Sequence, residues 1–175
     1  MVQARFGWSA SGSGLVLLGL VGQTVFSPII GSLAERIGPR WPSVFGLLAS
    51  GPLFIALGFC MQDDSVTSKV LFCLFIMGIG FCGVVVWIPH LMGTAIIAER
   101  SGSGQVYALM NVAYAAGMTA GPLWAGAVND RWGWPVFCGS IGVVGAASGV
   151  AEFFAWRDWK DYKQSSASAE STDSV

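Results

Sequence analysis

The chain has 175 residues, 54% of them apolar and only 11% charged, with nine Lys+Arg against ten Asp+Glu. A soluble domain carries about 25% charge, so an ordinary water-soluble enzyme is all but excluded. Nine scattered cations make no basic stripe, so no nucleic acid is expected as a partner. The 24 glycines suit membrane helices, where small residues let backbones approach closely.

Residues 1–13, MVQARFGWSASGS, lack the apolar core of a signal peptide and read as an extracytoplasmic loop. A membrane-crossing helix needs ~20 mostly apolar residues. The first such stretch, GLVLLGLVGQTVFSPIIGSL, covers about 14–33 without a charge. A second runs over about 41–61, a third over about 70–97, a fourth over about 105–128 and a fifth over about 134–156. Each is too long for a buried strand and lacks strict alternation, so helix is the expected state. The expected fold is an all-α polytopic membrane protein, one bundle over 14–156 with five spans. Residues 157–175 form a cytoplasmic tail, and its Ser-rich end from Gln164 reads as disorder.

The joints carry the orientation. Arg36, Arg40, Arg100, Arg157, Lys160 and Lys163 fall on one face, and Arg5, Lys69 and Arg131 on the other. By the positive-inside rule the first face is cytoplasmic, with the N-terminus outside and the C-terminus inside. Trp8, Trp41, Trp132, Trp134, Trp156 and Trp159 all lie near span ends, where amphipathic rings anchor at headgroups. Five spans that open on an extracytoplasmic loop suggest a first span further upstream, so the chain reads as a fragment.

Two motifs are specific. Gly31–Arg40, GSLAERIGPR, resembles the G-x-L-[AD]-[DE]-R-x-G-x-[RK] cytoplasmic loop of the major facilitator superfamily, matching at Gly31, Leu33, Glu35, Arg36, Gly38 and Arg40. Glu35 stands for the commoner Asp and Pro39 for a basic residue, as in the weaker copy between the eighth and ninth helices of that family. In the fourth span, Gly117-Met-Thr-Ala-Gly121-Pro122-Leu-Trp-Ala125-Gly126 is similar to G-x-x-x-G-P-x-x-G-G, which antiporters of the family carry on their fifth helix. The eleventh helix is the counterpart in the second half, and Ala125 stands for one glycine. The resemblance therefore implies helices eight to twelve of the fold. FGW before the first span and VYALMNVAYAAGMTAGP in the fourth are most similar to the drug:proton antiporter and vesicular amine branch.

Charge at Glu35 and Arg36 costs little where a helix leaves the membrane. Gly117, Gly121 and Gly126 offer a close-packing stripe, and Pro122 removes a backbone hydrogen bond, as suits a helix that bends or slides. A static small-residue interface is the plainer alternative for this stripe.

Helical phase selects candidates for a substrate cavity, because polar groups in hydrocarbon face the bundle interior. These are Gln23 and Ser27 on the first span, Trp87 and His90 on the third, and Asn111 and Tyr114 on the fourth. Interhelical bonding is the alternative role for each, and His90 is either a proton carrier or a hydrogen-bonded structural residue. No carboxylate lies mid-span, with Glu152 near the end of the last, whereas the vesicular amine branch carries acids where this chain has a valine, around Val84, and Asn111.

Other patterns are decoys. Gly78-Ile-Gly80-Phe-Cys-Gly83 fits G-x-G-x-x-G, but no strand precedes it in this apolar run. Cys60, Cys73, Cys82 and Cys138 lack metal or disulfide spacing, so no metal or cofactor is expected and no catalytic residue is assigned. The expected function is a secondary carrier of small organic solutes, with drug efflux by alternating access. The alternative is a non-transporting membrane scaffold or a defunct truncated carrier. The expected partners are the lipid bilayer, a small-molecule substrate, and either the missing N-terminal half or another copy of this chain. The membrane is the plasma membrane or a vacuolar or vesicular one. The chain alone is expected not to transport, because the second wall of a midplane cavity is absent.

Overall fold

The computed structural model describes residues 9–60, 65–101 and 103–155, and among them all regular structure is helical. Helix α1 (Ala10–Gly22) starts earlier than the sequence suggests, because the Ser9 hydroxyl accepts the Gly12 N–H at 3.2 Å and caps it. Part of the expected 1–13 loop is therefore helical. Residues 1–8 and 156–175, with Arg5, Trp8, Trp156, Arg157, Trp159, Lys160, Lys163 and the expected tail, lie outside the described residues.

The first span is not one uniform helix. A tighter 3₁₀ turn, Gln23–Phe26, joins α1 to α2 (Ser27–Ile37). Pro28 sits in the first turn of α2 and has no N–H to donate back along the chain, so the backbone tightens before it. Helix α2 runs on to Ile37, which places Glu35 and Arg36 in its last turn and not in a joint. Gly38 then turns the chain with φ of +87°, a left-handed value that glycine adopts at no steric cost.

Helix α3 (Arg40–Cys60) and helix α4 (Val66–Ser101) follow. Helix α4 exceeds the expected 70–97, so the expected polar joint at 99–103 is mostly helical. Helix α5 (Ser103–Trp132) and helix α6 (Trp134–Ala155) are joined at Gly133, with φ of +82° and an N–H donated to the Asn129 carbonyl at 2.9 Å. Both left-handed turns have a proline just beyond, Pro39 and Pro135, which cannot continue the helix before it.

Four stretches among the described residues are long and apolar enough to cross a membrane: Gly14–Ile37, Arg40–Cys60, Val66–Ala98 and Trp134–Ala155. The expected fifth, about 105–128, does not meet that standard. Helix α5 has 30 residues, about 45 Å, so length is not the reason. Gln105, Tyr107, Asn111, Tyr114, Thr119, Asn129 and Asp130 dilute its apolar content.

Helix α3 is the centre of the packing, with α6 on one side and α4 on the other, while the first span docks on the far side of α4. The α3–α6 crossing is built on glycine. A Cβ added at Gly142 would stand 2.8 Å from the Gly51 carbonyl oxygen. One at Gly58 would stand 3.2 Å from the Pro135 Cα, and one at Gly149 would meet Leu47 at 3.1 Å. Close backbone approach of this kind gives van der Waals contact that side chains would block. Leu57, Phe72 and Cys138 form a buried cluster where α3, α4 and α6 converge, flanked by Phe54, Phe75 and Phe137.

Elsewhere large apolar side chains point outward, among them Val25, Phe45, Phe59, Leu109 and Leu123. An apolar surface this extensive is matched by lipid as the surrounding medium, and not by water.

Candidate functional site

Trp87 organises the site. It lies in the middle of α4, one turn after Gly83, whose missing side chain leaves open space. On one side, a cleft of about 410 Å³ runs between the first span and α4, lined by Thr24 and Ser27 as well as Gly83, Val84, Trp87 and Ile88. On the other, a cleft of about 270 Å³ lies between α3 and α4, lined by Ser50, Phe54, Cys82, Gly83, Val86 and Trp87. Trp87 and Gly83 belong to both walls. The larger cleft falls within the range of small-molecule sites, roughly 300–1,000 Å³.

The Tyr114 ring of α5 stands 5.4 Å from Trp87, centroid to centroid, at an interplanar angle of 55°. Tilted pairs at this distance are favourable for aromatic quadrupoles. So Ser27 and Trp87, far apart in sequence, share one cleft, and Tyr114 packs on Trp87 from α5. Hydroxyls at Thr24, Ser27 and Ser50 provide polar contacts, and among the described residues no charged side chain lines either cleft.

The other cavity candidates are placed differently. Gln23 lies beside the cleft, with its side-chain amide donated to the Gly19 carbonyl at 3.4 Å and its Cγ against the space a Gly80 Cβ would fill. Asn111 is exposed on α5, one turn before Tyr114. His90 lines neither cleft. Its ring points to α6, with Nε2 3.5 Å from a Glu152 carboxylate oxygen.

The packing motif on α5 needs a correction. Cβ atoms added at Gly117, Gly121 or Gly126 would meet nothing within 4 Å, and residues 111–124 are all exposed. Helix α5 continues through Pro122. Tight glycines among the described residues are Gly46, Gly51, Gly58, Gly80, Gly142 and Gly149 instead. Helix α5 packs against both α4 and α6, with contacts that include Trp87–Tyr114 and the Trp124 indole N–H, 3.3 Å from the Ser140 hydroxyl. The G-x-G-x-x-G run lies wholly within α4, with Gly80 against the Leu20 carbonyl and Gly78 against Leu53.

The loop motif over Gly31–Arg40 divides in two. Leu33, Glu35 and Arg36 are exposed, while Gly31 faces Ile88 of α4. Arg40 reaches the last helix. Its guanidinium donates to the Phe153 carbonyl at 3.0 Å and lies 4.5 Å from the centre of the Phe153 ring. A cation placed at the C-terminal end of α6 meets unsatisfied carbonyls and the negative end of the helix dipole. Within this chain, then, Arg40 ties the loop to its own final helix, a contact that sequence reasoning missed.

Thr24, Ser50 and Phe54 are further lining residues that the sequence did not single out. Thr24 lies one residue from Gln23 on the first span, and the 3₁₀ turn, with three residues per turn, sets it in line with Ser27.

The sequence matches the family model of the Major Facilitator Superfamily over residues 1–174. The chain belongs to that family. It is thus a multi-pass integral membrane protein of a transporter family, and its apolar helices agree with that. Neither the curated proteins nor the solved structures gave a match.

Proposed function

We propose that the chain is the second half of a secondary carrier, corresponding to helices eight to twelve, that moves small organic solutes by alternating access and exports drug-like compounds. The observation that carries this reading is Trp87, which stands in the wall of two open clefts with the Tyr114 ring against it. Large aromatic faces with a few hydroxyls and no charge suit an apolar or aromatic solute more than an ionic one. Helix α5 crosses the membrane beside α4 in this reading. Its polar residues are tolerable because Asn111, Tyr114, Gly117 and Gly121 face a cavity or another helical half instead of lipid.

The N-terminus lies outside the cytoplasm and the C-terminus inside, in a plasma, vacuolar or vesicular membrane. A non-transporting scaffold would use the same bundle, but it gives no role to an open aromatic cleft.

Reconstitution into vesicles tests the proposal. Saturable, gradient-driven flux of an aromatic organic solute is expected when a complementary helical half or a second copy is present, and none from the monomeric chain, because five helices build one wall only. In the same vesicles, an impermeant thiol reagent is expected to reach a cysteine at Ser65 from the outer face and one at Ser101 from the inner face. Flux by a monomer, or the reverse labelling pattern, would contradict the reading.

A further inference from the structure

We infer that Gly83 is a specificity-determining notch in α4, joining the two clefts into one site for a flat, uncharged, multi-ring solute. The inference rests on the carrier reading above and names the size and chemistry of what that site takes.

Ile79, Gly83 and Trp87 each line both clefts. They are spaced by four, so they stand one above another along a single face of the helix. The ridge between the clefts therefore consists of Ile79 and Trp87, about 12 Å apart along the axis, with a gap at the glycine. The residues flanking that gap turn to opposite sides. Cys82 lines the cleft toward α3 and Val84 the cleft toward the first span. Both are buried, whereas Gly83 between them is exposed.

Splayed helices are not the origin of the notch. One turn before it, an added Cβ at Gly80 would stand 2.6 Å from the Leu20 carbonyl oxygen of the first span. One at Gly78 would meet Leu53 of α3 at 3.3 Å, and just beyond the notch one at Gly46 of α3 would meet Val86 at 2.8 Å. Both neighbours are thus held close to α4, yet a Cβ at Gly83 would meet nothing within 4 Å. Packing does not call for glycine here, and its effect is the open passage.

The lining sets the chemistry of the occupant. The smaller cleft, about 270 Å³, falls below the usual range of small-molecule sites by itself, roughly 300–1,000 Å³. A solute that crosses the notch fills both clefts and lays a ring beside Trp87, which the Tyr114 ring supports from 5.4 Å. In the larger cleft Thr24 and Ser27 supply hydroxyls. In the smaller one the Ser50 hydroxyl donates to the Leu47 carbonyl at 2.8 Å, so toward the cleft it offers lone pairs. The fitting solute therefore carries a hydrogen-bond donor at its Ser50 end. An ionic group is disfavoured, because among the described residues no charged side chain lines either cleft.

The test compares two uncharged probes on the full chain in lipid nanodiscs: pyrenemethanol, with four fused rings, and benzyl alcohol, with one. Equilibrium dialysis against nanodiscs lacking the chain subtracts partition into lipid. Gly83→Leu is expected to lower the ratio of pyrenemethanol to benzyl alcohol affinity by about tenfold, as overfilling a packed site does, and Gly83→Ala by a smaller factor. A second measurement leaves position 83 intact. Thr24→Cys and Ser50→Cys report one cleft each, with maleimide labelling read by peptide mass to separate them from the native cysteines. Pyrenemethanol is expected to slow labelling of both with the same half-effect concentration, as one molecule spanning the notch must. Protection of one cysteine alone, an unchanged affinity ratio in Gly83→Leu, or no binding of pyrenemethanol by the wild-type chain would overturn the proposal. Absence of flux with this selectivity intact would support the site and count against the carrier reading alone.

Discussion

Replacing Gly142 by leucine is expected to unfold or splay the bundle at the α3–α6 crossing. The Cβ alone would stand 2.8 Å from the Gly51 carbonyl oxygen and 3.0 Å from the Ile55 side chain. The nearest obstacle is backbone, which cannot swing aside as the end of a flexible side chain can. Overpacking of a well-packed interior costs roughly 1–3 kcal/mol, and Gly142→Leu belongs at or above the upper end because it adds a whole side chain between two touching backbones. Gly121→Leu in the same chain is the control. Open space surrounds that position, and a change there is expected to fall within about 0.5 kcal/mol. Unfolding in mixed micelles, followed by helix content, measures both. Equal loss at the two sites, or none at Gly142, would contradict the packing described above.

Trp87→Ala is expected to weaken binding of an aromatic solute by about ten- to thirty-fold, while Trp87→Phe keeps most of the affinity. Tenfold corresponds to about 1.4 kcal/mol, and loss of a central aromatic anchor commonly costs 2 kcal/mol or more. The side chain lies in the wall of both clefts and against Tyr114, so alanine removes contact surface from each and leaves Tyr114 without its ring partner. Equilibrium dialysis of a panel of aromatic and aliphatic solutes against the chain in nanodiscs measures this. Equal affinity of wild type and Trp87→Ala for every bound solute would remove Trp87 from the site.

The membrane spans were readable because a continuous apolar run of ~20 residues admits one structure in lipid, whatever the tertiary context. The limits of α2 and α4 were not, because helices extend past the hydrocarbon edge into polar sequence such as Glu35–Arg36 and Val66–Lys69. The 3₁₀ turn had a signal in Pro28, but the apolar residues around it concealed the break. Helix α5 shows the opposite error. Tyr107, Asn111 and Tyr114 fitted a stripe, yet the same polar groups take the helix below the apolar content of the other spans.

Glycine was the least legible residue. Gly121 sits in a recognisable motif and faces open space, whereas Gly51 and Gly142 sit in no motif and touch backbone to backbone. Local sequence does not distinguish them, because the contact depends on which helices meet. The site was legible in part. Of the residues selected by phase, Ser27 and Trp87 line one cleft, while Tyr114 lines neither and packs on Trp87. His90 shared the phase of Trp87 but turns to Glu152, a pairing that depends on the placement of α6. Arg40 was recognised from its loop, while its partner Phe153 was not.

The central claim is that the exposed face of α5 lines a solute cavity instead of facing lipid. Cysteine accessibility in intact membranes tests it most directly, comparing Asn111→Cys on that face with Phe45→Cys on the outward surface of α3. The account predicts that a water-soluble maleimide labels Asn111→Cys, that a bound aromatic solute slows this labelling, and that Phe45→Cys stays unreactive. Labelling of Asn111→Cys as slow as that of Phe45→Cys, with no effect of any solute, would contradict it.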